Sequence, residues 1–187
     1  MEAIYAIDAN NGLSKDGVIP WHSKKDMSFF YNKTKNNVVV MGKNTFFSLP
    51  DNARPLKNRL NIVLTSNPEY YNEMYFKKDL IEGQCMNIIF TDDVKRHEYI
   101  LQNRSNHRAI YPFLCEDFKV FIIGGKRIYE QFIPMCQTVW VTQLKREYDC
   151  DMMFNYDFHD FDQELVDEDD ELTIKKYFIT QSRSDYY

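Results

Sequence analysis

The sequence predicts an α/β protein organised around one central sheet. The apolar run at residues 120–123 is typical of a strand buried on both faces, and Gly124-Gly125 separates it from residues 126–132, whose apolar spacing is helical. The same order of strand, glycine and helix occurs at residues 37–48. The length of 187 residues suits one domain, residues 1–187, with a single active site.

Each of these junctions has a functional and a purely structural interpretation. Backbone N–H groups at a helix start bind phosphate, and glycine lets a ligand approach the main chain, so both junctions indicate a nucleotide site. Lys43 and Thr45 could add an ammonium and a hydroxyl to such a site. Alternatively, Gly124-Gly125 is only a tight turn and Thr45 only a helix cap, because the G-x-G-x-x-G spacing is missing.

The N-terminal half is predicted to contain three strands and two helices. Ser23 is the predicted N-cap of the first helix, and Asp26 lies in its first turn. Turn-forming residues at 8–17 predict a long surface loop. The predicted strands cover residues 1–7, 37–42 and 60–66, and the predicted helices cover residues 24–34 and 43–48.

The C-terminal half has a less regular pattern. Residues 67–85 are polar with scattered tyrosines, and no element is predicted there. His97 and His107 are interpreted as surface histidines, since their spacing does not favour a metal. The other predictions are a strand over 86–90, a helix from Thr91 or Asp92 to about residue 103, an irregular insertion over 104–117, strands over 139–144 and 172–182, a loop at 149–151, and a solvated hairpin tip at 164–171.

Composition and charge exclude several classes of protein. Hydrophobic residues make up 44% of the chain and aromatic residues 16%, which argues against disorder, and no apolar run is long enough to cross a membrane. The N-terminus lacks a basic region ahead of its apolar part, so we predict no signal peptide and a cytoplasmic location. A formal net charge of −5 offers no basic field for nucleic acid. Any anionic ligand must therefore be held by local cations such as Lys43, Arg59 and Arg127.

The cysteines and acidic residues do not predict a metal site or a disulfide. Cys85, Cys115, Cys136 and Cys150 show no C-x-x-C spacing, and a chain of this length without a signal peptide usually keeps such thiols reduced. The acidic run at residues 164–171 lacks the central glycine and the regular spacing of a calcium loop. We therefore predict reduced thiols and no bound metal.

Asp26 is the most informative ionisable residue. A carboxylate in the first turn of a helix commonly does no more than interact with the helix dipole. Here, however, Ile19, Trp21, Phe29 and Phe30 would surround Asp26 with apolar surface. A lone carboxylate in such a pocket has an altered pKa and an unpaired hydrogen-bonding face, which is typical of a functional site.

Taken together, several short motifs resemble those of the dihydrofolate reductases, in order and spacing, from Met1 to about Ser182. The motifs are Gly12-Leu13, Pro20-Trp21, Asp26, Met41-Gly42-Lys43-Asn44-Thr45, Arg54-Pro55-Leu56, Arg59 and Ile123-Gly124-Gly125. The resemblance implies a mostly parallel eight-stranded sheet with an antiparallel C-terminal strand and about four helices. It also implies that NADPH binds across the strand ends and reduces 7,8-dihydrofolate by hydride transfer to C6, with protonation at N5.

The resemblance assigns roles to individual residues. It implies that Asp26 bonds the 2-amino group and N3 of the pteridine, that Trp21 holds a water beside it, and that Ile19 covers the nicotinamide in a lid made mobile by Gly12 and Gly17. Residues implied in substrate binding are Ile4, Tyr5, Ile19, Phe30, Leu49, Leu56, Arg59, Ile123, Tyr129 and Thr142. Residues implied in NADPH binding are Ala6, Leu13, Gly42, Lys43, Asn44, Thr45, Leu64, Thr65, Ser66, Gly124, Gly125, Lys126, Arg127 and Ile128. A cis peptide is implied between Gly124 and Gly125.

Three departures from the family pattern stand out: Ser14 replaces a lid glycine, Thr91 replaces a base near the 2′-phosphate, and the insertion at 104–117 has no bacterial counterpart.

Two other functions remain open. One is an NADPH-dependent pyrimidine reductase of riboflavin synthesis, against which Pro20-Trp21 and Asp26 discriminate; the other is a catalytically silent binding module. Expected ligands are dihydrofolate and antifolates, and the expected state is a monomer unless the chain is fused to a thymidylate synthase.

Overall fold

In a computed structural model, which describes residues 1–82 and 87–180, the chain forms one large sheet and one small sheet. The large sheet contains β1 Glu2–Ile7, β3 Val38–Gly42, β4 Leu60–Leu64, β5 Ile88–Thr91, β6 Val120–Ile122, β7 Thr138–Leu144, β9 Asp162–Glu168 and β10 Leu172–Phe178. Their order is β5-β4-β3-β6-β1-β7-β10-β9, and β10 alone runs antiparallel to its neighbours. The mostly parallel eight-stranded sheet and its antiparallel C-terminal strand are therefore confirmed.

Helices cover both faces of the large sheet. The six α-helices among the described residues are α1 Lys24–Thr34, α2 Lys43–Ser48, α3 Pro68–Glu82, α4 Arg96–Gln102, α5 Arg104–Ile110 and α6 Lys126–Phe132. Side chains of α1, α2 and α3 pack with Val39 and Met41 of β3, whereas those of α4 and α6 pack with Val38 and Val40. Because alternate residues of a strand face opposite sides, the continuous apolar runs are explained by burial on both faces. None of the described helices is long and apolar enough to span a membrane.

The structure corrects the predictions for residues 67–117. The polar segment after β4 forms α3, and part of the predicted irregular insertion forms α5. The predicted helix after β5 begins at Arg96 rather than at Thr91 or Asp92. His97 and His107 are buried rather than exposed, because each lies on the inward face of its helix. The Nδ1 atom of each ring lies within hydrogen-bonding distance of a backbone carbonyl oxygen. Cys85 lies outside the described residues, and Cys115, Cys136 and Cys150 are free cysteines.

The predicted loop at residues 8–17 contains regular structure. Strand β2, Gly12–Ser14, pairs with β8, Met152–Met153, to form the small sheet. Beyond it, Lys15 and Val18 exchange backbone hydrogen bonds of 2.9 and 3.0 Å across a two-residue turn. Asp16 and Gly17 in that turn have positive φ angles of 50° and 78°. Gly17 is thus required by the turn geometry.

The acidic segment near the C-terminus is mainly an edge strand. Strand β9 extends to Glu168, so only the residues between β9 and β10 form the predicted hairpin tip. Its side chains are mostly exposed. Charged side chains on an edge strand oppose pairing with another chain, which accounts for the acidic composition.

Candidate active site

The candidate site lies where β1 and β6 separate at the carboxyl ends of the parallel strands. These two strands pair only at Glu2–Phe121 and Ala3–Ile122, although β1 continues to Ile7. The Tyr129 hydroxyl, from α6, donates a 3.0 Å hydrogen bond to the Ile4 carbonyl in place of the missing ladder bond. A ligand can therefore approach the sheet between these strand ends, as at the switch points of other parallel sheets.

Both strand-glycine-helix junctions meet at this place. The Gly42 N–H donates a 2.8 Å hydrogen bond to the Gly124 carbonyl, and the Gly124-Gly125 peptide is cis, as predicted. A Cβ on Gly125 would lie 3.0 Å from the Thr45 hydroxyl oxygen, and one on Gly42 would lie 3.3 Å from Ile128. Gly124 has a φ of 111°, and a Cβ there would meet the Tyr129 ring at 3.0 Å. No residue with a side chain fits at these positions without displacement of its neighbours.

The helix starts at these junctions are open to a ligand. Gly42 and Gly125 are the N-caps of α2 and α6, and neither helix has a side-chain cap. Thr45 is therefore not the cap of α2, so its alternative interpretation is wrong. Lys43 and Arg127, at the two helix starts, make no ion pair with a described acidic residue. Free N–H groups and unpaired cations together suit a phosphate-bearing ligand.

The residues at the end of β4 that were predicted to bind the cofactor lie close to the same edge of the sheet. Leu64 ends β4, and the Thr65 N–H donates to the Thr91 carbonyl at 2.9 Å. The Lys43 ammonium lies 5.9 Å from the ring centroid of Tyr71, a residue of α3 that the sequence did not indicate. The Thr91 hydroxyl accepts a hydrogen bond from the Asp93 N–H, so it closes a turn within its own loop. Asn44, Ser66 and Lys126 flank these positions in the chain.

Asp26 is held in place by three polar contacts. Its N–H donates a 3.1 Å hydrogen bond to the Ser23 hydroxyl, which is the predicted N-cap. The Trp21 indole N–H donates to Asp26 Oδ2 at 3.4 Å, and the Thr142 hydroxyl of β7 also bonds the carboxylate. Burial raises the pKa of Asp26 above its ordinary value, although the bonds from Trp21 and Thr142 oppose that change. The carboxyl is therefore poised to exchange a proton at a higher pH than a surface aspartate.

Apolar side chains extend from Asp26 along one face of the sheet. Ile4, Phe30, Leu49, Leu56 and Ile123 belong to a single cluster on that face. Thr142 pairs in register with Ala6, beyond the last β1–β6 pair, and so places Asp26 beside the separated strand ends. We call this region, between Asp26 and the Gly124-Gly125 junction, the cleft.

The side chains of two residues predicted to bind substrate, Tyr5 and Ile19, lie outside the apolar cluster of the cleft. The Tyr5 side chain faces the opposite side of the sheet, with its ring 5.2 Å from Tyr129 and 5.1 Å from Phe154. Its neighbours in β1, Ile4 and Ala6, face the cleft, so the strand alternation excludes the Tyr5 side chain from it. Ile19 is 58% exposed, in the segment predicted as a lid.

Arg59 is buried and fixed by neutral groups. Its Nη1 donates to the Thr34 hydroxyl at 3.1 Å, and its Nε donates to the Lys57 carbonyl at 3.0 Å. The guanidinium also lies over the rings of Phe30 and Tyr31, at 5.8 and 5.3 Å. No described acidic side chain pairs with it, and burial lowers the pKa of Arg59. A buried guanidinium without an acid partner favours an anionic ligand group.

Hydrogen bonds to Asp8 fix the start of the segment predicted as a lid. The sequence analysis did not identify this role of Asp8. The buried Asp8 carboxylate accepts hydrogen bonds from the N–H groups of Asn10, Gly12 and Tyr148, at 2.9, 2.7 and 2.9 Å. A Cβ on Gly12 would lie 2.4 Å from Cys150 Cβ. Gly12 is therefore needed for close packing between two loops. Leu13 follows it in β2 and packs against the core.

The sequence signals for the missed residues were weak. Asp8 stands in a run of turn-forming residues, where an aspartate usually closes its own turn. Thr34, which anchors Arg59, is a small polar residue at the end of α1 and lies 25 positions from its partner in the chain. The bonds from Asn10 and Gly12 to Asp8 are local, but the bond from Tyr148 to Asp8 and the contact of Thr34 with Arg59 join distant parts of the chain, so only the fold could reveal them.

Comparisons with known proteins agree with this geometry. The sequence model described as dihydrofolate reductase matches residues 1–183. A dihydrofolate reductase of Ureaplasma parvum serovar 3 is 31% identical over 180 residues, which are 95% of this chain and 96% of the relative. A bifunctional dihydrofolate reductase-thymidylate synthase of Daucus carota is 31% identical over 159 residues, which are 80% of this chain but 27% of the relative.

A solved structure gives the same result. The dihydrofolate reductase of Enterococcus faecalis, complexed with NADP(H) and RAB-propyl, aligns with a TM-score of 0.66 and 27% identity, covering 95% of this chain and 94% of that chain. The match of family, relatives and fold extends across nearly the whole sequence. This chain belongs to the dihydrofolate reductase family.

Proposed function

We propose that this chain reduces 7,8-dihydrofolate to 5,6,7,8-tetrahydrofolate with NADPH, and so supplies one-carbon metabolism and thymidylate synthesis. The observation that carries the proposal is the Asp26 carboxylate, which Trp21 and Thr142 hold beside the separated ends of β1 and β6. A carboxylate with a raised pKa at the end of an apolar cleft suits recognition of a polar heteroaromatic ring.

The residues around the two glycine junctions fit NADPH. The uncapped starts of α2 and α6 and the cations Lys43 and Arg127 would hold the phosphate groups. Glycine at positions 42, 124 and 125 lets the two junctions pack closely against each other and against Tyr129, which brings both helix starts to the same place. When bound, NADPH supplies the hydride that reaches C6 of the substrate.

The side chains of the cleft then act on the substrate. Asp26 accepts hydrogen bonds from the 2-amino group and N3 of the pteridine, and its negative charge stabilises the ring when N5 is protonated. Trp21 donates to the same carboxylate and fixes its orientation. Arg59 pairs with a carboxylate of the substrate's glutamate tail, for which its fork of donors is suited. The apolar wall excludes water from the reacting face.

We also propose a cytoplasmic enzyme with a single domain, residues 1–187, that acts as a monomer. The free thiols of Cys115, Cys136 and Cys150 support a reducing compartment. The Daucus carota relative joins a matching region to a thymidylate synthase in one chain. Measurement of the mass of the purified protein by light scattering would test the monomer.

One assay tests the reaction directly. The purified chain is mixed with NADPH and dihydrofolate, the loss of NADPH absorbance is followed, and tetrahydrofolate is identified by mass spectrometry. We expect NADPH loss that depends on dihydrofolate and stops when methotrexate is added. Binding of both ligands without turnover would favour the silent binding module. Turnover only with the pyrimidine substrate of riboflavin synthesis would favour that reductase.

A further inference from the structure

A second cavity lies on the face of the sheet opposite the cleft. It has a volume of about 130 Å³ and is lined by Tyr5 of β1, Val141 of β7 and Tyr177 of β10, beneath the loop that follows β8. Ile4 and Thr142, the neighbours of Tyr5 and Val141, face the cleft on the other side. One layer of strands therefore separates the cavity from the cleft.

Aromatic rings form most of one end of this cavity. Phe158 and Tyr177 stack with centroids 3.9 Å apart and an angle of 11° between their planes. Phe154 packs on the edge of Tyr5, and Tyr156 packs on Phe158 at 4.9 Å. Such mutual packing fixes the walls. An apolar cavity of about 150 Å³ in a folded protein admits one benzene ring, so this volume suits a single aromatic ring.

The other end of the cavity carries hydrogen-bond donors and one cation. Gln143, Thr173 and Lys175 line it, and no acidic residue does. Lys175 makes no described ion pair, whereas Lys176 beside it, on the opposite face of β10, pairs with Glu164 at 3.8 Å. The Lys175 charge acts on the Glu168 carboxylate, but Lys145 already pairs with that carboxylate at 3.0 Å. One positive charge therefore remains uncompensated at the end of the cavity and favours an anionic group on the ligand.

Tyr5 adds a buried donor that the proposed reaction does not use. The residue is 6% exposed, lines the cavity, and its hydroxyl takes part in none of the described hydrogen bonds. Burial raises the pKa of Tyr5, and so do the nearby hydroxyls of Tyr177 and Tyr156. The phenol therefore stays protonated and can donate a hydrogen bond to an acceptor inside the cavity.

We propose that this cavity is a second binding site, which takes a single-ring aromatic carboxylate. The ring lies between Phe154, Phe158 and Tyr177, and the carboxylate accepts hydrogen bonds from the Lys175 ammonium and the Tyr5 hydroxyl. No bond is made or broken. Because the cleft is on the other face of the sheet, both sites can be filled at the same time.

Calorimetric titration with benzoate tests the site, using the full chain saturated with NADPH and methotrexate. We expect saturable binding of one benzoate with a Kd of the order of 0.1 to 1 mM, as suits so small a ligand. Lys175→Gln should weaken binding about tenfold, the effect of losing a charge-assisted hydrogen bond. Lys176→Gln, which makes the same chemical change on the other face, should leave the Kd within about twofold.

Two further probes separate the contributions of ring and charge. Benzamide, which keeps the ring, should bind about tenfold more weakly than benzoate, and acetate, which keeps only the charge, should show no saturable binding. Tyr5→Phe removes one hydroxyl and should weaken benzoate by a few fold. The proposal is overturned if benzoate does not saturate by about 10 mM, if methotrexate displaces it, or if Lys175→Gln and Lys176→Gln behave alike.

Discussion

Asp26→Asn would remove the charge of the cleft while retaining the shape of the side chain. The asparagine amide oxygen can still accept the hydrogen bond that Trp21 donates to Asp26 Oδ2 at 3.4 Å. The helix start would be little changed, because the Ser23 hydroxyl bonds the backbone N–H of this position and not its side chain. Any large loss of activity would therefore report the missing charge.

The size of that loss follows from the charge and its surroundings. Two unit charges about 5 to 6 Å apart at an effective dielectric of about 20 interact by about 3 kcal/mol. Asp26 is half-buried, with Trp21 and Thr142 fully buried beside it, so this dielectric is appropriate. The interaction strengthens as N5 gains its proton in the transition state, so we expect a loss of about two to three decades in rate near neutral pH.

The assay is the rate of NADPH-dependent dihydrofolate reduction between about pH 5 and 9. In the wild type, activity should show a plateau that ends near the raised pKa of Asp26, because the charge of the carboxyl group changes there. In Asp26→Asn, N5 can be protonated only from solution, so activity should keep rising as the pH falls. Diaminopyrimidine inhibitors, which bind as cations, should lose affinity in the same variant.

Glu69→Gln is the matched control, since Glu69 is an exposed carboxylate in the first turn of α3. It makes the same chemical change at a helix start and should leave the rate and the pH profile unchanged. If Asp26→Asn also kept near wild-type turnover and the same profile, Asp26 would be only a helix-start residue. The proposed role of its charge would then be wrong.

The same variant should gain stability near neutral pH. Burial raises the pKa of Asp26, so the folded protein holds this proton more tightly than the unfolded chain does. The ionised form therefore costs stability, and this cost grows as the pH rises from the unfolded pKa through the folded pKa. Thermal melts of Asp26→Asn should show a higher Tm than the wild type at neutral pH, and the difference should vanish in acid.

Three further outcomes can be measured. Arg59→Ala should weaken methotrexate binding by about 2–4 kcal/mol but leave the binding of trimethoprim, which lacks the tail carboxylate, unchanged. An equal loss of affinity for both inhibitors would show that Arg59 has only a structural role. NADPH should be preferred over NADH, because Lys43 and Arg127 offer unpaired cations; equal kcat/KM for the two cofactors would contradict this. Asp8→Asn should destabilise the fold by about 1–3 kcal/mol, because its carboxylate accepts three backbone hydrogen bonds. Burial would raise the pKa of Asp8, but those bonds outweigh it and lower the pKa. In chemical unfolding, the wild type should therefore be more stable than the variant above the pKa of the unfolded chain, and this difference should disappear as the pH falls through the folded pKa.

The sequence predicted best those features that depend on neighbouring residues. The strand-glycine-helix junctions at Gly42 and Gly124 were predictable because an apolar run and a glycine each act locally. Helix α3 was missed because its apolar residues do not form one stripe: Tyr71 and Tyr75 pack inward, while Tyr70 remains 58% exposed. Tertiary packing decided that helix, and the local pattern could not.

The sequence could not predict which face of an element meets the cleft. Tyr5 was assigned to the substrate pocket, but strand alternation alone cannot say which set of residues faces the cleft. That choice is fixed by the register with β7, in which Ala6 pairs with Thr142. His97 and His107 were misplaced for the same reason, since burial depends on which side of the helix meets the sheet. Asp26 could be predicted because its apolar neighbours are close in the sequence.

The position of β1 in the sheet has a consequence for biosynthesis. This strand is synthesised well before its partners, β6 and β7, since Glu2 lies in register with both Phe121 and Thr138. Its backbone groups cannot pair with these strands until β6 has been made, whereas β3 and β4 are separated by only a short segment. Contacts of such long sequence separation slow folding and leave an apolar strand open to aggregation. Nascent chains stalled before β6 should therefore depend on chaperones, and the dependence should end once β7 has emerged.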